Sequence, residues 1–352
     1  MNKKVLVAIS GGVDSSVAAK LLIEQGYEVA AATMILLPDD EARVEKARKV
    51  AEQLGVKFYV FDFIKEFSEE VIGYFVNSYL NGETPNPCIM CNQKFKFGRF
   101  LDKAEELGYD FIATGHYAKI GRDGKTGRML LKRSENLKKD QSYFLYGMTQ
   151  RQLEKTIFPL ESLEKDDVRA LAAESDLANA SQKDSQDICF VPQGKYVEFI
   201  DKFLEEKGKK QIPGKFVDTE GNIIGKHNGI AGYTIGQRKG VGMSLGAGIP
   251  LYVVSKDAET NKVIMGPDEL LFKKELTVAE PNFISVEMID KGINVTVKTR
   301  YNQKDIPATI EYDGKNNCVK VFFDNPQRAV TPGQTAVFYD GENVYGGGVI
   351  IG

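Results

Sequence analysis

Tryptophan is absent from this chain of 352 residues, and histidine occurs only twice. Two histidines exclude a metal site built mainly from imidazole ligands. Long apolar runs are also lacking, since none approaches the 18 residues that a membrane-spanning helix needs. An apolar run at residues 5–9 follows a basic start, but it is too short for a signal peptide. We therefore expect a cytoplasmic protein that does not associate with membranes.

A strong charge of one sign is missing as well. The 46 basic and 49 acidic residues give a net charge of −3, whereas domains that bind nucleic acid mainly through charge have a high pI. Any contact with nucleic acid is therefore expected to be confined to local basic patches and to shape. At about 150 residues per domain, the length predicts two or three domains.

Cysteine is scarce, and the four cysteines are Cys88, Cys91, Cys189 and Cys318. In a reducing compartment, four cysteines favour chemistry or metal binding over a disulfide scaffold. Cys318 stands in an apolar strand pattern, which is typical of a small buried hydrophobe. Cys88 and Cys91 stand in a polar loop bounded by prolines, where that explanation fits poorly.

The first 120 residues alternate between apolar runs and amphipathic helical stripes. The runs predict strands at 4–9, 29–36, 56–63 and 109–114, and such strands between helices indicate a parallel sheet covered on both faces. Charged helices follow, and from about residue 212 turn signals separate short alternating strands. We predict an α/β domain at 1–208 with a helical extension from about 150, a small mixed β-rich central domain at 209–280, and an antiparallel β-barrel at 281–352.

A glycine-rich loop joins the first predicted strand to the first helix, and residues 10–16 spell SGGVDSS. Glycines let a ligand approach the backbone, and the amides of a turn at a helix N-terminus attract phosphate. Asp14 would act through a divalent ion. The motif is neither a Walker A loop nor a dinucleotide fingerprint. It resembles the SGGxDS loop of the PP-loop ATP pyrophosphatases, which implies a Rossmann-like sheet and adenylylation of a substrate oxygen by ATP.

The thiols near the second helical stretch allow two chemical interpretations. Cys91 lies near a predicted helix N-terminus, where the helix dipole lowers a thiol pKa, and Lys94 and Lys96 would lower it further. In the first interpretation, Cys91 and Cys189 carry and resolve a persulfide by disulfide exchange. In the second, Cys88, Cys91 and Cys189 ligate a [4Fe–4S] cluster that leaves one iron open.

Seven sequence blocks occur in one order and together resemble the tRNA-specific 2-thiouridylases over residues 3–350. The blocks are 10–16, 84–92, 113–118, 139–145, 185–190, 234–240 and 331–334. The resemblance implies ATP-dependent 2-thiolation of the wobble uridine of tRNA by a tRNA-uridine 2-sulfurtransferase. It implies ATP and Mg²⁺ as cofactors, the anticodon stem-loop of tRNA as substrate, and a sulfur donor such as a cysteine desulfurase or a relay protein.

The resemblance also assigns roles to residues. It makes Cys91 the nucleophile and Cys189 the carrier of the persulfide, with a disulfide bond between them after transfer. The implied ATP-site residues are Ala8, Ile9, Ser10, Gly11, Gly12, Val13, Asp14, Ser15, Met34 and Gly115, with Asp14 as the Mg²⁺ residue. The implied target-base segment is Asn86, Pro87 and Cys88. The implied tRNA contacts are His116, Lys138, Lys139, Asp140, Arg300, Tyr301 and Gln334.

One position departs from the family, because many members have Asp where this chain has Cys88. No carboxylate is available there for acid–base chemistry, so Cys88 becomes a candidate cluster ligand or sulfur relay.

Basic side chains follow the fourth strand and are candidates for a local RNA patch, although a solvated surface explains each one singly. They are Lys119, Arg122, Lys125, Arg128, Lys132, Arg133, Lys138 and Lys139.

Two alternative functions stay open: a PP-loop amide ligase, and a non-catalytic ATP-dependent RNA-binding adaptor.

Overall fold

The computed structural model describes residues 2–175, 188–238, 241, 250–289 and 291–352. Its N-terminal half contains a parallel sheet with the strand order β3-β2-β1-β4-β7 and a separate β5–β6 hairpin. These strands are β1 (Lys4–Ala8), β2 (Glu28–Ile35), β3 (Lys57–Asp62), β4 (Phe111–Ala113), β5 (Lys119–Arg122), β6 (Met129–Lys132) and β7 (Thr156–Ile157). Three of the predicted strands match β1, β2 and β3 closely, and the fourth prediction contains β4.

Helices cover both faces of this sheet, as the continuous apolar strands predict. Val5 and Val7 pack with α1 and α2 on one face, whereas Leu6 joins a larger core on the other. That alternation follows from the two-residue period of a strand. The helices of this half are α1 (Val13–Glu24), α2 (Glu41–Gln53), α3 (Ile64–Phe67), α4 (Gly73–Leu80), α5 (Pro87–Cys91) and α6 (Phe100–Glu106).

Two wide π-helical segments interrupt the helices on the second face. Ser68–Ile72 joins α3 to α4, and Asn92–Arg99 joins α5 to α6. This helical stretch begins at Pro87, so Cys91 lies at the end of α5 and not near a helix N-terminus as the sequence predicted. Proline suits this first helical position because its φ is already helical and its missing N–H is not needed.

The middle of the chain holds short helices and a four-stranded sheet. The helices are α7 (Gln150–Glu154), α8 (Lys165–Glu174) and α9 (Tyr196–Glu206). The sheet has the order β10-β11-β8-β9, and its β11–β8 pair is parallel. Its strands are β8 (Gly214–Val217), β9 (Ile223–His227), β10 (Tyr252–Asp257) and β11 (Lys262–Gly266). The predicted mixed, β-rich central domain is confirmed.

The last part is a closed antiparallel barrel with its own core. The strand order is β12-β15-β14-β13-β16-β17, and pairing between β12 and β17 closes it. Its strands are β12 (Phe272–Phe283), β13 (Ile293–Lys298), β14 (Ile306–Asp313), β15 (Cys318–Arg328), β16 (Thr335–Asp340) and β17 (Asn343–Ile350). Cys318 begins β15 and is buried, so its predicted structural place is confirmed.

The barrel joins the N-terminal half in two ways. β17 pairs with β6 at Asn343 and Lys132, so the β5–β6 hairpin extends the barrel sheet. Three glycines of β17, Gly346 to Gly348, let this strand pass close to its neighbours. Within the part of the chain that the structure describes, no helix has the length and apolar character to cross a bilayer.

The close packing at Gly347 predicts a stability effect. A Cβ there would lie 2.7 Å from the carbonyl oxygen of Ala336 and 2.8 Å from Cδ2 of Tyr146. Gly347→Ala is therefore expected to destabilise the protein by about 1–3 kcal/mol, as overpacking in a core does. Urea unfolding measures the change. Gly124→Ala is the matched control because, in the part of the chain that the structure describes, no atom lies within 4 Å of a Cβ at this position. Equal midpoints for both variants would contradict this packing.

Candidate active site

The glycine loop closes over the N-terminus of α1. Gly12 is the N-cap, and its carbonyl oxygen accepts hydrogen bonds from the hydroxyls of Ser15 and Ser16, each at 3.0 Å. Ser10 Oγ lies 3.4 Å from Ser15 Oγ. No side chain caps this helix among the described residues, and the first amides of a helix have no partner within it. The loop therefore presents backbone N–H groups suited to an anion.

The other predicted ATP-site residues meet at the same edge of the sheet. Gly115 follows β4, and a Cβ there would lie only 2.6 Å from the amide nitrogen of Ser15. Ala8 ends β1, and Ile9 donates its N–H to the carbonyl of Ala32. Met34 lies two residues further along β2. This carboxyl edge is where ligands bind in open parallel sheets.

Asp14 is already paired in the first turn of α1. Its Oδ1 accepts a hydrogen bond from the Tyr117 hydroxyl at 2.9 Å and lies 2.7 Å from Nζ of Lys165 in α8. Neither partner could be predicted from the sequence, because they lie 103 and 151 positions away. Tyr117 belongs to the block at 113–118, but the block does not indicate a bond to Asp14, and Lys165 belongs to no block. A role of Asp14 towards Mg²⁺ stays a prediction.

Three of the four cysteines are brought together. Cys91 ends α5 and is buried, Cys88 is half-buried and Cys189 is exposed. Cys189 and Cys88 each raise the pKa of the Cys91 thiol, which shows that the three sulfurs lie within electrostatic range. Cys318 stands apart in the barrel, and all four side chains are free thiols. Residues 185–187 of the fifth block, which contains Cys189, and Lys239 and Gly240 of the sixth block lie outside the described residues.

The expected low pKa of Cys91 is wrong. Burial raises the pKa of this thiol to about 12, while Lys96 acts in the opposite direction. Burial also raises the pKa of Cys88. The thiol packs into an aromatic core, where the cost of removing a thiolate from water exceeds the help of one cation and a helix dipole.

The π-helical segment separates the two lysines that the sequence had grouped. A π turn closes after five residues, so Lys96 follows Cys91 by one turn, and it lowers the pKa of all three thiols. Lys94 points elsewhere and pairs with Glu70 at 3.1 Å. Sequence spacing in an ordinary helix does not show this difference.

His116 lies beside Lys96. Its Nε2 is 3.5 Å from Lys96 Nζ, and its Nδ1 is 2.7 Å from Thr114 Oγ1. Burial and the neighbouring Lys96 hold its pKa well below the usual 6.5, so the imidazole is neutral. The structure therefore places this predicted tRNA-contact residue next to the cation of the thiol cluster.

A second cation, Arg43, links the nucleotide edge to the thiols. It donates to the carbonyl of Met34 and pairs with Asp40, and it lowers the pKa of Cys91 and of Cys189. Asp40 in turn accepts hydrogen bonds from the amides of Leu36 and Leu37, which fixes the turn after β2. Neither residue belongs to a sequence motif, so this pair could not be predicted from the sequence.

The thiol cluster does not form a prepared metal site. In the described ranges, no group of three or more His, Cys, Asp or Glu side chains is arranged to hold a metal ion. Cys88, Cys91 and Cys189 therefore do not, as placed, fit the ligand set expected for an iron–sulfur cluster.

Asn86 and Pro87 begin the helical stretch that carries the thiols. Asn86 is the N-cap of α5, and its side chain makes no capping hydrogen bond. It lines a cavity of about 290 Å³ between this helix and the barrel, together with Tyr74, Gln93 and Glu280. Its predicted role at the target base stays a prediction.

The remaining predicted tRNA contacts lie where the barrel meets the loop after β6. Lys138 and Lys139 are at least partly exposed, whereas Asp140 is buried and accepts hydrogen bonds from Ser134 and Ser142. The Tyr301 ring lies 4.5 Å from that of Phe144 in the same loop region.

Arg300 and Gln334 make backbone contacts. Arg300 donates to the carbonyl of Ala329 at 2.8 Å, and Gln334 donates to the carbonyl of Thr84 at 2.8 Å. The structure thus groups these residues around the barrel, apart from His116.

Most of the basic hairpin is neutralised. Ion pairs join Lys119 to Glu135, Arg122 to Glu154, Lys132 to Glu342 and Arg133 to Asp305. Arg128 donates to backbone carbonyls of β12 and the residue after it. For these side chains, the interpretation as a solvated or paired surface fits better than a free patch for phosphates.

Known proteins match the whole length of this chain. Family models described as a tRNA methyl transferase HUP domain, a tRNA methyl transferase PRC-barrel domain and an aminomethyltransferase beta-barrel domain match residues 3–193, 201–267 and 273–350. Proteins named tRNA-specific 2-thiouridylase are 49% identical in Clostridioides difficile, over 99% of this chain and 98% of that protein, and 50% identical in Acetivibrio thermocellus, over 99% of both. The Treponema denticola protein of the same name is 49% identical, over 99% of this chain and 97% of its own. The chain belongs to the family of tRNA-specific 2-thiouridylases.

Proposed function

We propose that this chain catalyses the ATP-dependent 2-thiolation of the wobble uridine of tRNA. The observation that carries the proposal is the meeting of the glycine loop and three thiols at one edge of the sheet, in a chain of this family. Arg43 connects the two, because it holds the Met34 carbonyl and lowers the pKa of both Cys91 and Cys189.

The nucleotide would bind with its phosphates at the N-terminus of α1. Backbone atoms line this site, because the helix N-terminus presents its first N–H groups and Gly115 has no side chain. Mg²⁺, when bound, supplies positive charge to the pyrophosphate, and Asp14 is the residue that would hold it while it shares its charge with Lys165. Adenylylation of the C2 oxygen of uridine would make AMP the leaving group.

Sulfur transfer would follow from a persulfide on Cys189. The terminal sulfur forms a bond to C2, and the C2–O bond breaks as AMP leaves. Cys91 then attacks Sγ of Cys189, the sulfur–sulfur bond to the transferred atom breaks, and its electron pair completes the thiocarbonyl. A Cys91–Cys189 disulfide remains, and an external thiol must reduce it. The target base must leave its stack to reach this site, which costs a few kcal/mol.

The high pKa of Cys91 assigns a role to Lys96. At neutral pH the resting nucleophile is a protonated thiol, because burial raises its pKa to about 12. Lys96 opposes this shift and is the cation one π turn away, so we propose that it stabilises the thiolate when the thiol is deprotonated. His116 keeps a neutral ring beside it and therefore adds no charge that competes with the ammonium.

We propose Cys88 as a sulfur-relay residue in the group formed by the three thiols. It occupies the position of the family's Asp and offers no carboxylate. Because the three thiols do not fit a metal-ligand set as placed, no step of this mechanism passes through an iron–sulfur cluster. Iron and acid-labile sulfide assays on anaerobically purified wild type and Cys88→Ser distinguish the persulfide route from the iron–sulfur route. An active protein that contains neither iron nor sulfide uses the persulfide route.

Removing the transfer thiols should separate this function from the alternatives. Cys91→Ser and Cys189→Ser are expected to lower tRNA thiolation below detection and to leave ATP binding within about twofold, since neither thiol belongs to the loop at α1. Nucleoside mass spectrometry measures thiouridine after incubation with tRNA, ATP and a persulfide donor. Cys318→Ala, in the barrel, is the control that keeps activity.

Thiolation by Cys91→Ser at the wild-type rate would contradict the mechanism. An amide ligase has no use for these thiols and would keep its activity in both variants. An adaptor would bind tRNA without releasing pyrophosphate in response to it.

The contact between Gly115 and the glycine loop predicts a loss of ATP affinity. A methyl group at 115 would displace the Ser15 amide or the strand end, because its Cβ would lie 2.6 Å from that nitrogen. Gly115→Ala is expected to weaken ATP binding at least about tenfold, or about 1.4 kcal/mol, in titration calorimetry. Gly232→Ala is the matched control, since a Cβ there meets no atom of the described residues within 4 Å. Wild-type affinity in Gly115→Ala would place the nucleotide elsewhere.

The two lysines of the π-helical segment predict different effects on Cys91. Below a pKa of about 12, the thiolate fraction rises about tenfold per pH unit, so alkylation of Cys91 should keep accelerating from pH 8 to pH 10. Lys96→Met removes a lowering influence and should slow this alkylation at least about threefold at pH 9. Lys94→Met should leave it unchanged because Lys94 pairs with Glu70. Peptide mass spectrometry follows the modification, and equal rates in both variants would refute the role of Lys96.

A further inference from the structure

The C-terminal barrel holds the turn before α5, which is here named the cysteine helix because it carries Cys88 and Cys91. Thr84 donates its N–H to the carbonyl of Pro332 at 2.9 Å, and its own carbonyl accepts a hydrogen bond from Nε2 of Gln334 at 2.8 Å. Both backbone groups of this one residue are therefore engaged by the loop at residues 331–334, here named the barrel loop. The two partners lie about 250 positions from Thr84 in the chain.

The approach of the barrel loop to this turn leaves no room for a side chain at Gly333. Gly333 has φ +84°, and a Cβ there would lie 2.8 Å from both Glu83 Cβ and the Thr84 nitrogen. Glycine is required by conformation and by space at the same position. The contact is thus built by close backbone packing and does not depend on flexible side chains alone.

The barrel loop is itself rigidly anchored. Gly333 donates its N–H to the carbonyl of Ile350 at 2.9 Å, and Gln334 donates its N–H to Thr331 at 3.2 Å. Thr331 Oγ1 bonds the carbonyl of Ala329 and accepts from Arg300 at 3.1 Å. A loop fixed at these points can impose a position on its neighbour.

A short, stiff segment connects this turn to the thiols. Pro85 and Pro87 fix their φ angles near −65°, and both are buried. Cys88 follows in the first turn of α5, and Cys91 ends that helix. On its other side, the same turn meets the central sheet, because Gly82 lies against Lys256 of β10 and against Ile230.

We infer that the barrel loop sets the position of the cysteine helix, with Gln334 as a positioning residue that acts through Thr84. This inference rests on the proposed function for its catalytic consequence. It gives Gln334 a task different from the tRNA contact that the resemblance implied. A tRNA contact would affect binding, whereas a positioning residue affects the rate of the bound complex.

Matched variants of Gln334 test the inference. Gln334→Met keeps the length of the side chain but removes the donor to Thr84, so kcat for thiolation should fall at least about fivefold. The Kd for tRNA should stay within about twofold. Gln334→Lys retains a donor at similar reach and should restore most of kcat at saturating tRNA. A weakened Kd with unchanged kcat in Gln334→Met would overturn the inference in favour of a direct tRNA contact.

Gly333→Ala provides a second test that removes no side chain. Its methyl group would push against Glu83 and Thr84, so kcat should fall as in Gln334→Met. In both variants, amide exchange in peptides spanning residues 80–92 should accelerate, while peptides of β1 and α1 keep wild-type protection and report a folded domain. Wild-type exchange at 80–92 in both variants would overturn the inference.

The exchange measurement needs no enzymatic activity. If the wild-type protein fails to thiolate tRNA, the proposed function fails, and the exchange result still decides whether the barrel loop holds the cysteine helix.

Discussion

The segment at residues 114–117 is the physical centre of the candidate site. Gly115 lies against the first turn of α1 with no space for a Cβ, and Tyr117 bonds Asp14 in that turn. Between them, His116 faces Lys96 beside the thiols. The backbone of Tyr117 also exchanges hydrogen bonds with Gln141 in the loop before Tyr143. Four consecutive residues after β4 therefore fix the relative positions of the glycine loop, the thiol cluster and a loop next to the barrel.

Burial is the dominant electrostatic influence at the thiols. It raises the pKa of Cys88 and Cys91 in spite of nearby cations. A protonated, buried nucleophile is poorly reactive towards stray oxidants and electrophiles, because the thiolate is the reactive form. The same surroundings make each cation at the cluster more effective, since electrostatic interactions strengthen where water is excluded.

The sequence predicted what depends on local pattern. The strands β1 to β3, the glycine loop between β1 and α1 and the buried place of Cys318 follow from periodicity and from residue type. The pKa of Cys91 was predicted in the wrong direction, because the pattern shows the helix end and the lysines but not the aromatic core around the sulfur. The separation of Lys94 from Lys96 depends on a π-helical segment. The partners of Asp14 lie 103 and 151 positions away, beyond the reach of any local pattern.

The pairing of β6 with β17 has a consequence for how the chain is made. Residue 132 leaves the ribosome 211 residues before its partner at 343, a difference of 343 − 132. At 5–20 residues per second this interval is roughly 10–40 s. During that time the hairpin presents an open strand edge, which is a template for pairing with other chains. Charged side chains at a strand edge oppose such pairing. Lys132 ends β6 and Arg133 follows it, and both are made long before Glu342 and Asp305, with which they form ion pairs in the finished protein.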